Sequence, residues 1–357
     1  MVGPLQIMRV GLDPVRVSGD WFDVRSADFG LTSESAGTLR LEAPPGWDVE
    51  SVGDGRWRVR PRRFRVGARD ELRLLDAAGS PRGAIRIPVK YDLRSSFDIK
   101  HHAFPLPNST SALGTIDPDR RIFEQTYAPM PAFAKRILFG GLYSDIVFIR
   151  PGARTGGLCT GMARWAIARG KGQEPAAPTQ AAALERIALF HGRQLFDRAL
   201  LAAAVWFFRA SPRAAFFAVR DDLLRTGKTD RALDIGVPKP WRRDVLTAVV
   251  EQGHTVVPYH LVQESDEAGW IAVYDPNRPD LIGADEPRVI EFDLRRDRYR
   301  YGTKVSMEQD DVGMIAVRQA VYSGRRTAIL ATVGSLLLAP GRLLRRERGK
   351  DDAARTD

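Results

Sequence analysis

This sequence predicts an α+β fold. Three observations point to it: short alternating strand patterns up to about residue 95, capped helices in the stretch from Thr179 to Gly253, and β-branched and aromatic strand runs after Gly253. At 357 residues and 44% hydrophobic content the chain can bury more than one core, so the organisation expected is two domains and a tail. The boundaries follow from where the pattern changes: a small all-β domain over 1–95, a mixed domain over 96–322, and a basic tail over 323–357 that carries a short apolar segment.

The first domain rests on Trp57-Arg58-Val59-Arg60, Leu72-Arg73-Leu74 and Ile85-Arg86-Ile87-Pro88-Val89, in which apolar and polar residues alternate as in half-buried strands. Pro44-Pro45-Gly46 and Gly79-Ser80-Pro81 supply turns between such runs, a spacing that suits a small sandwich. The stretch LEAPPGWDVE followed by WRVRPRRFRVGARDELRLL resembles the Ig-like modules attached to many bacterial enzymes, and implies a sandwich of that kind.

Residues 96–158 are irregular, with Ile146-Val147-Phe148-Ile149 as a buried strand candidate. A helix is expected from about Cys159, because Leu158, Met162, Trp165 and Ala166 recur on one helical face, Gly170 stops it, and Gly156-Gly157 keep its approach open. From Thr179 to Gly253 the reading is helical throughout. Thr179 caps one helix, Ser211-Pro212 starts another that ends at Gly227, and Pro240 starts a third that ends at Gly253. The run Ala199 to Phe208 is apolar nearly all round, which predicts burial on more than one side. After Gly253 the residues 254–262 and 270–274 read as an antiparallel hairpin about a loop at 263–269, with further strands at 288–292 and 313–317.

Charge and cysteine content narrow the function. Lys and Arg number 54 against 44 Asp and Glu, and the excess is densest in the last thirty residues, which favours acidic partners or an anionic membrane surface. No basic cluster is interleaved with aromatics, so nucleic acid is not an expected partner. One cysteine rules out an intrachain disulfide and nearly rules out a cysteine-based zinc site. No metal or organic cofactor is implied. The N-terminal stretch lacks the run of about seven or more apolar residues of a signal peptide, so the compartment is left open with the cytoplasm favoured. Residues 327–341 are mostly apolar but contain Pro340 and fall short of the roughly 20 that a spanning helix needs. The tail is therefore expected to pack on the body or lie on a membrane surface.

Cys159 carries the chemical reading. At the first turn of a helix a thiol meets unpaired backbone N–H groups and the positive end of the helix dipole, which favour a thiolate and a developing oxyanion. His254 follows the helix-stopping Gly253 and opens a strand, and Asp275 closes the next strand. A hairpin centred in the expected loop puts the two opposite each other, so the carboxylate can accept the imidazole N–H and fix its tautomer. Asn277 is the alternative orienting residue.

GGLCTGMARWA is similar to the nucleophile helix of papain-like and C39-like bacterial cysteine peptidases, and GHTVVPYHLV followed by WIAVYDPNRP looks like their histidine strand and the strand after it. The resemblance spans about 155–280 and implies a papain-like cysteine hydrolase domain acting on a peptide or protein substrate. Such enzymes place an oxyanion-hole Gln a few residues before the Cys. Here the nearest upstream is Gln125, which leaves Gln125, another donor, or the Cys159 backbone alone. Acyl transfer of the transglutaminase or arylamine acetyltransferase kind on the same triad, and a degenerate papain-like scaffold, stay open. His101, His102 and His191 read as hydrogen-bonded or exposed residues, and His260 shares the strand face of His254, where lining the cleft is the less favoured reading. Trp165, Trp206 and Trp270 read as core, with a wall of the site as the alternative for Trp270.

Overall fold

The computed structural model describes residues 21–29, 39–61, 69–88, 90–109, 120–143, 158–238, 253–284, 286–301, 312–322, 327–333 and 335–336, with single positions at 31 and 113. Six strands come first: β1 (Phe22–Arg25), β2 (Arg40–Glu42), β3 (Trp47–Gly53), β4 (Arg56–Pro61), β5 (Arg69–Leu75) and β6 (Pro81–Pro88). They form two antiparallel three-stranded sheets, ordered β1-β4-β3 and β2-β5-β6. Val24, Trp57 and Val59 from one sheet share a core with Leu41, Leu72, Leu74 and Ile85 from the other, as the alternation requires. Trp47 ties the sheets further, its Nε1–H donating to Asp70 Oδ2 at 2.7 Å.

The next strand does not belong to that unit. β7 (Tyr91–Arg94) pairs with β9 of the large sheet, Tyr91 opposite Gln263 and Arg94 opposite His260. The chain therefore changes sheet between Pro88 and Tyr91, ahead of the boundary the sequence suggested at 95.

The large sheet is antiparallel and runs β12-β11-β10-β9-β8-β13, with β7 beside β9. Its strands are β8 (Arg231–Pro238), β9 (His254–Gln263), β10 (Ala268–Tyr274), β11 (Val289–Asp293), β12 (Arg298–Tyr301) and β13 (Val312–Arg318). The helices are α1 (Arg120–Thr126), α2 (Ala132–Leu138), α3 (Cys159–Gly170), α4 (Gln180–Gly192), α5 (Asp197–Phe207) and α6 (Pro212–Thr226). The chain is thus α+β.

Caps end the helices where expected. Thr179 accepts from the Ala182 amide at 3.2 Å, Ser211 accepts from the Ala214 amide at 3.0 Å, and Gly227 closes α6 with φ 62°. α6 covers one face of the sheet, where Phe216, Val219 and Leu223 pack on Leu233, Ile235, Val256 and Leu261. On the other face Ala163, Ala166 and Ile167 of α3 pack on Ala232, Val257 and Tyr274. Alternate residues of β8 and β9 feed the two layers, so the sheet is buried on both sides in its middle. α3 is buried from Thr160 to Ala168, more fully than a single apolar stripe implies, because α4 covers its outer side. Gly161 permits that close approach: a Cβ there would lie 2.4 Å from the Ile187 carbonyl oxygen.

Three expectations are corrected. The segment 179–253 is not helical throughout, since β8 runs through its centre. Once Gly227 has ended α6, the residues of β8 pair with β9 on one side and β13 on the other, which inserts a strand between them. α5 is not buried on several sides, because Leu201, Val205 and Phe208 lie exposed along it. The hairpin register differs as well: Ile271 faces Leu261 and, after a one-residue bulge in β9, Tyr274 faces Val257. The strand candidate 146–149, Gly156-Gly157, and the helix from Pro240 lie outside the described residues, except for Gly253 at its end. In the tail, 329–333 and 335–336 are helical. No helix among the described residues is long and apolar enough to cross a membrane.

Candidate functional site

Cys159 is the first residue of α3, preceded by Leu158 with φ −91° and ψ 19°. The opening amides of this helix have different fates. The Leu158 N–H donates to Asn108 Oδ1 at 2.6 Å and the Gly161 N–H to His191 Nδ1 at 3.3 Å. No described residue accepts from the Cys159 or Thr160 amide, so two donors at the positive end of the helix stand beside the thiol.

His254 is the first residue of β9, and its backbone pairs with Ile235 of β8. Its Nε2–H donates to Asp275 Oδ1 at 2.6 Å. With the observed register the strand position across from Asp275 is Val256, so His254 is its diagonal neighbour and the side chains meet across that diagonal. The expected pair therefore forms, on a geometry other than the direct cross-strand one. Asp275 is buried and further held by the Tyr301 hydroxyl, which donates to Oδ2, and by the Asn277 amide, which donates to Oδ1 at 2.8 Å. Asn277 itself lies on the opposite edge of the imidazole, with Nδ2 3.5 Å from Nδ1, so Asp275 is the residue that orients His254.

With Nε2 engaged by Asp275, Nδ1 is left for the thiol, and Cys159 and His254 each act on the other's ionisation. Burial pushes the thiol up, but the hydrogen bond and charge of His254 and a backbone hydrogen bond from Thr255 outweigh it, and the Cys159 pKa is lowered. For His254 burial acts downward, and the hydrogen bonds to Asp275 and Cys159 overcome it, so its pKa is raised. Asp275 is pushed up by burial and brought below the ordinary carboxylate range by His254, Tyr301 and the Asn277 amide. All three shifts favour a thiolate–imidazolium pair beside an ionised carboxylate.

A polar chain joins the two sides behind this pair. Thr160 and Thr255, each next in sequence to a member of the pair, share a hydrogen bond of 2.8 Å between their hydroxyls, and Thr255 Oγ1 donates to Asp234 Oδ1 at 2.8 Å. It pins the first turn of α3 to β9, so the thiol and imidazole cannot drift apart without breaking a buried network. Burial raises the Asp234 pKa against the charge of the fully buried Arg164. Asn108 does comparable work at the rim: beyond its bond to Leu158, its Nδ2 donates to Asn277 Oδ1 at 3.2 Å and its backbone N–H to the Pro276 oxygen at 2.9 Å.

Gln125 stands exposed on α1, and it is not among the groups that shift the Cys159 thiol. Near the nucleophile, the described side-chain amides are Asn108 and Asn277. Sequence reasoning passed over Asn108, Asp234, Thr255 and Tyr301. Asn108 sits in a Pro-rich stretch with no periodic signal, whereas Thr255 and Thr160 were findable as neighbours of His254 and Cys159. His260 belongs to a separate pair, its Nε2 2.6 Å from Asp92 Oδ1 and its ring edge-on to Trp270. Trp165 is buried, and the Trp206 side chain lies outside the described ones. Among the described residues no group of three or more His, Cys, Asp or Glu side chains is arranged to hold a metal ion. Comparison with protein-family models, with curated proteins and with solved structures found no match to this chain.

Proposed function

We propose that the chain is a thiol-dependent hydrolase that cleaves amide or peptide bonds, with a papain-like catalytic domain behind an Ig-like module. The observation that carries this reading is the His254 ring held between the Cys159 thiol and the buried Asp275 carboxylate, at the start of a helix whose Cys159 and Thr160 amides donate to no described residue. A lone cysteine packed as a small hydrophobe has no use for a charged partner on each side of a histidine.

In this mechanism the Cys159 thiolate attacks the substrate carbonyl carbon, and the oxygen becomes an oxyanion received by the Cys159 backbone N–H at the helix start. His254 gives its proton to the leaving amine as the C–N bond breaks, which yields a thioester and a neutral imidazole. Neutral His254 then takes a proton from water, the hydroxide adds to the thioester, and the carboxylic acid leaves as the thiolate and imidazolium return. Asp275 keeps the Nε2–H tautomer in place and offsets the imidazolium charge at each stage.

Because Cys159 is the single cysteine, alkylation of the intact protein reports on that thiol alone. Iodoacetamide labelling that stays fast well below the ordinary thiol pKa of about 8.5, and peptide-library turnover abolished by Cys159→Ala with an unchanged melting curve, are the results expected. Labelling that follows an ordinary thiol titration, or turnover that survives Cys159→Ala, overturns the reading.

A further inference from the structure

The large apolar side chains exposed among the described residues are not scattered. Apart from Val49 and Val52 in the sandwich, all lie on α2, on α5 or just past its end, and on the helical residues 329–333 and 335–336. α5 shows Leu201, Val205 and Phe208 on one outward line. The helical residues 329–333 and 335–336 show Ile329, Leu330, Val333 and Leu336, and α2 shows Phe133.

These three elements belong to one lobe. Ala134 and Leu138 of α2, Ala199 of α5, and Ala328 and Ala331 beside the last helix share a single core with Phe123, Tyr127 and Phe196. The last two are joined at their starts, the Asp197 N–H donating to the Thr327 oxygen at 2.9 Å and Asp197 Oδ1 accepting from the Leu330 N–H at 2.8 Å. Ala199, Ala328 and Ala331 face the core while Leu201, Val205, Ile329, Leu330 and Val333 face solvent, and α2 buries Leu138 but turns Phe133 outward, a distribution unlike that of a solvated helix face.

Charge identifies the occupant. Arg136, Arg198 and Arg209, on or just beyond these helices, are exposed and make no ion pair among the described residues. The sequence beyond 336 adds Arg342, Arg345, Arg346, Arg348 and Lys350 against the single acid Glu347 up to that point. Exposed aliphatic and aromatic side chains in the same elements as arginines that make no ion pair among the described residues match the boundary between anionic headgroups and acyl chains. We infer that this lobe is a peripheral docking surface for an anionic lipid bilayer, seated by α5 and the helical residues 329–333 and 335–336 and held by the arginines. A protein partner that buried these apolar residues would leave the arginines to find separate acidic groups, whereas an anionic bilayer answers both features at once.

The test is flotation of the full chain with vesicles of phosphatidylcholine alone or mixed with phosphatidylserine. Binding is expected to the mixed vesicles and to weaken with added salt. Leu201→Glu with Val205→Glu, both at exposed positions, should lower it by about tenfold or more. Arg345→Gln with Arg346→Gln should lower it roughly 25-fold, at about a factor of five for each basic charge near the surface. Melting curves check that the variants fold. Absence of binding to the mixed vesicles overturns the inference. So does binding that ignores the α5 substitutions, which would leave the tail acting alone. Self-association at micromolar protein, abolished by the α5 pair without any vesicle binding, would assign the face to a second copy of the chain instead.

Discussion

Strand β9 carries two histidine–aspartate pairs six residues apart, and they differ in almost everything except their bond. His254 meets Asp275 and His260 meets Asp92 with the same 2.6 Å separation. Both imidazoles are equally sheltered, with 12% of each side chain exposed, so neither bond length nor burial distinguishes them. The distinction lies on the far side of each ring. His254 faces the Cys159 thiol at a helix start, and His260 faces the indole of Trp270. Their carboxylates differ too: Asp275 is held by Tyr301 and the Asn277 amide as well, while Asp92 sits on β7 and locks that strand to β9. A histidine–carboxylate pair is thus a structural clamp by default. It becomes chemistry when a nucleophile completes it.

The sharpest way to break this comparison is to remove each imidazole. His254→Ala should cut the iodoacetamide labelling rate at about pH 7 roughly thirtyfold, because an unassisted thiol of pKa about 8.5 is only a few per cent ionised there. His260→Ala should leave that rate unchanged, since its ring stands against Trp270 and Asp92. Equal losses in the two variants would mean that the sheet transmits damage to Cys159 generally and that His254 has no special role.

Asp275→Asn and Asp92→Asn sharpen the contrast by separating reactivity from stability. Loss of the Asp275 charge weakens the imidazolium, so labelling at about pH 6 should fall by on the order of tenfold, one pKa unit of thiol shift. Asp92→Asn should leave labelling alone and cost about 1.5–3 kcal/mol of stability, the range for a hydrogen bond to a charged group. The sign with pH follows from the shift: His260, first among the causes, holds the Asp92 pKa below its ordinary value. The stabilisation is therefore present above the unfolded pKa of about 3.9 and is lost as pH falls through the folded one. Urea melts of wild type and Asp92→Asn should differ at neutral pH and converge below about pH 4; a gap that persists there would assign the cost to packing.

The two pairs were not equally legible in the sequence, for a physical reason. Cys159, His254 and Asp275 each sit at an element boundary marked by glycine, a strand start or a following proline, so local pattern finds them. The bulge at β9 is invisible in that pattern and shifted the register, yet the diagonal contact preserved the pair. Asp92 could not be matched to His260, because its strand reads like one more strand of the sandwich and only tertiary pairing takes it into the other sheet. β8 was missed because ALDIG holds few β-branched residues and follows a long helix. Its strand state comes from pairing with β9 and β13 on either side. Caps at Thr179, Ser211 and Gly227 were readable because a cap is a local hydrogen bond. The outward face of α5 was not, because an apolar run does not say which of its sides meets a core.

The smallest effect concerns Tyr301, which has no counterpart among the described residues at the His260 pair. Its hydroxyl donates to Asp275 Oδ2, and burial followed by the Asp275 charge raises its pKa, so it remains a proton donor across the working range. Tyr301→Phe deprives a buried carboxylate of one donor, which should cost about 1–3 kcal/mol in a urea melt. The same change should act in the opposite sense on the thiol. A carboxylate with one hydrogen bond fewer pulls harder on the His254 Nε2–H, which favours the imidazolium and with it the Cys159 thiolate. The acid limb of the labelling rate should therefore move to lower pH, by less than about one unit. Loss of stability together with a thiolate that persists into more acid solution is a combination that simple loosening of the site does not produce. An acid limb displaced to higher pH would show that Tyr301 serves to aim the carboxylate more than to moderate its charge.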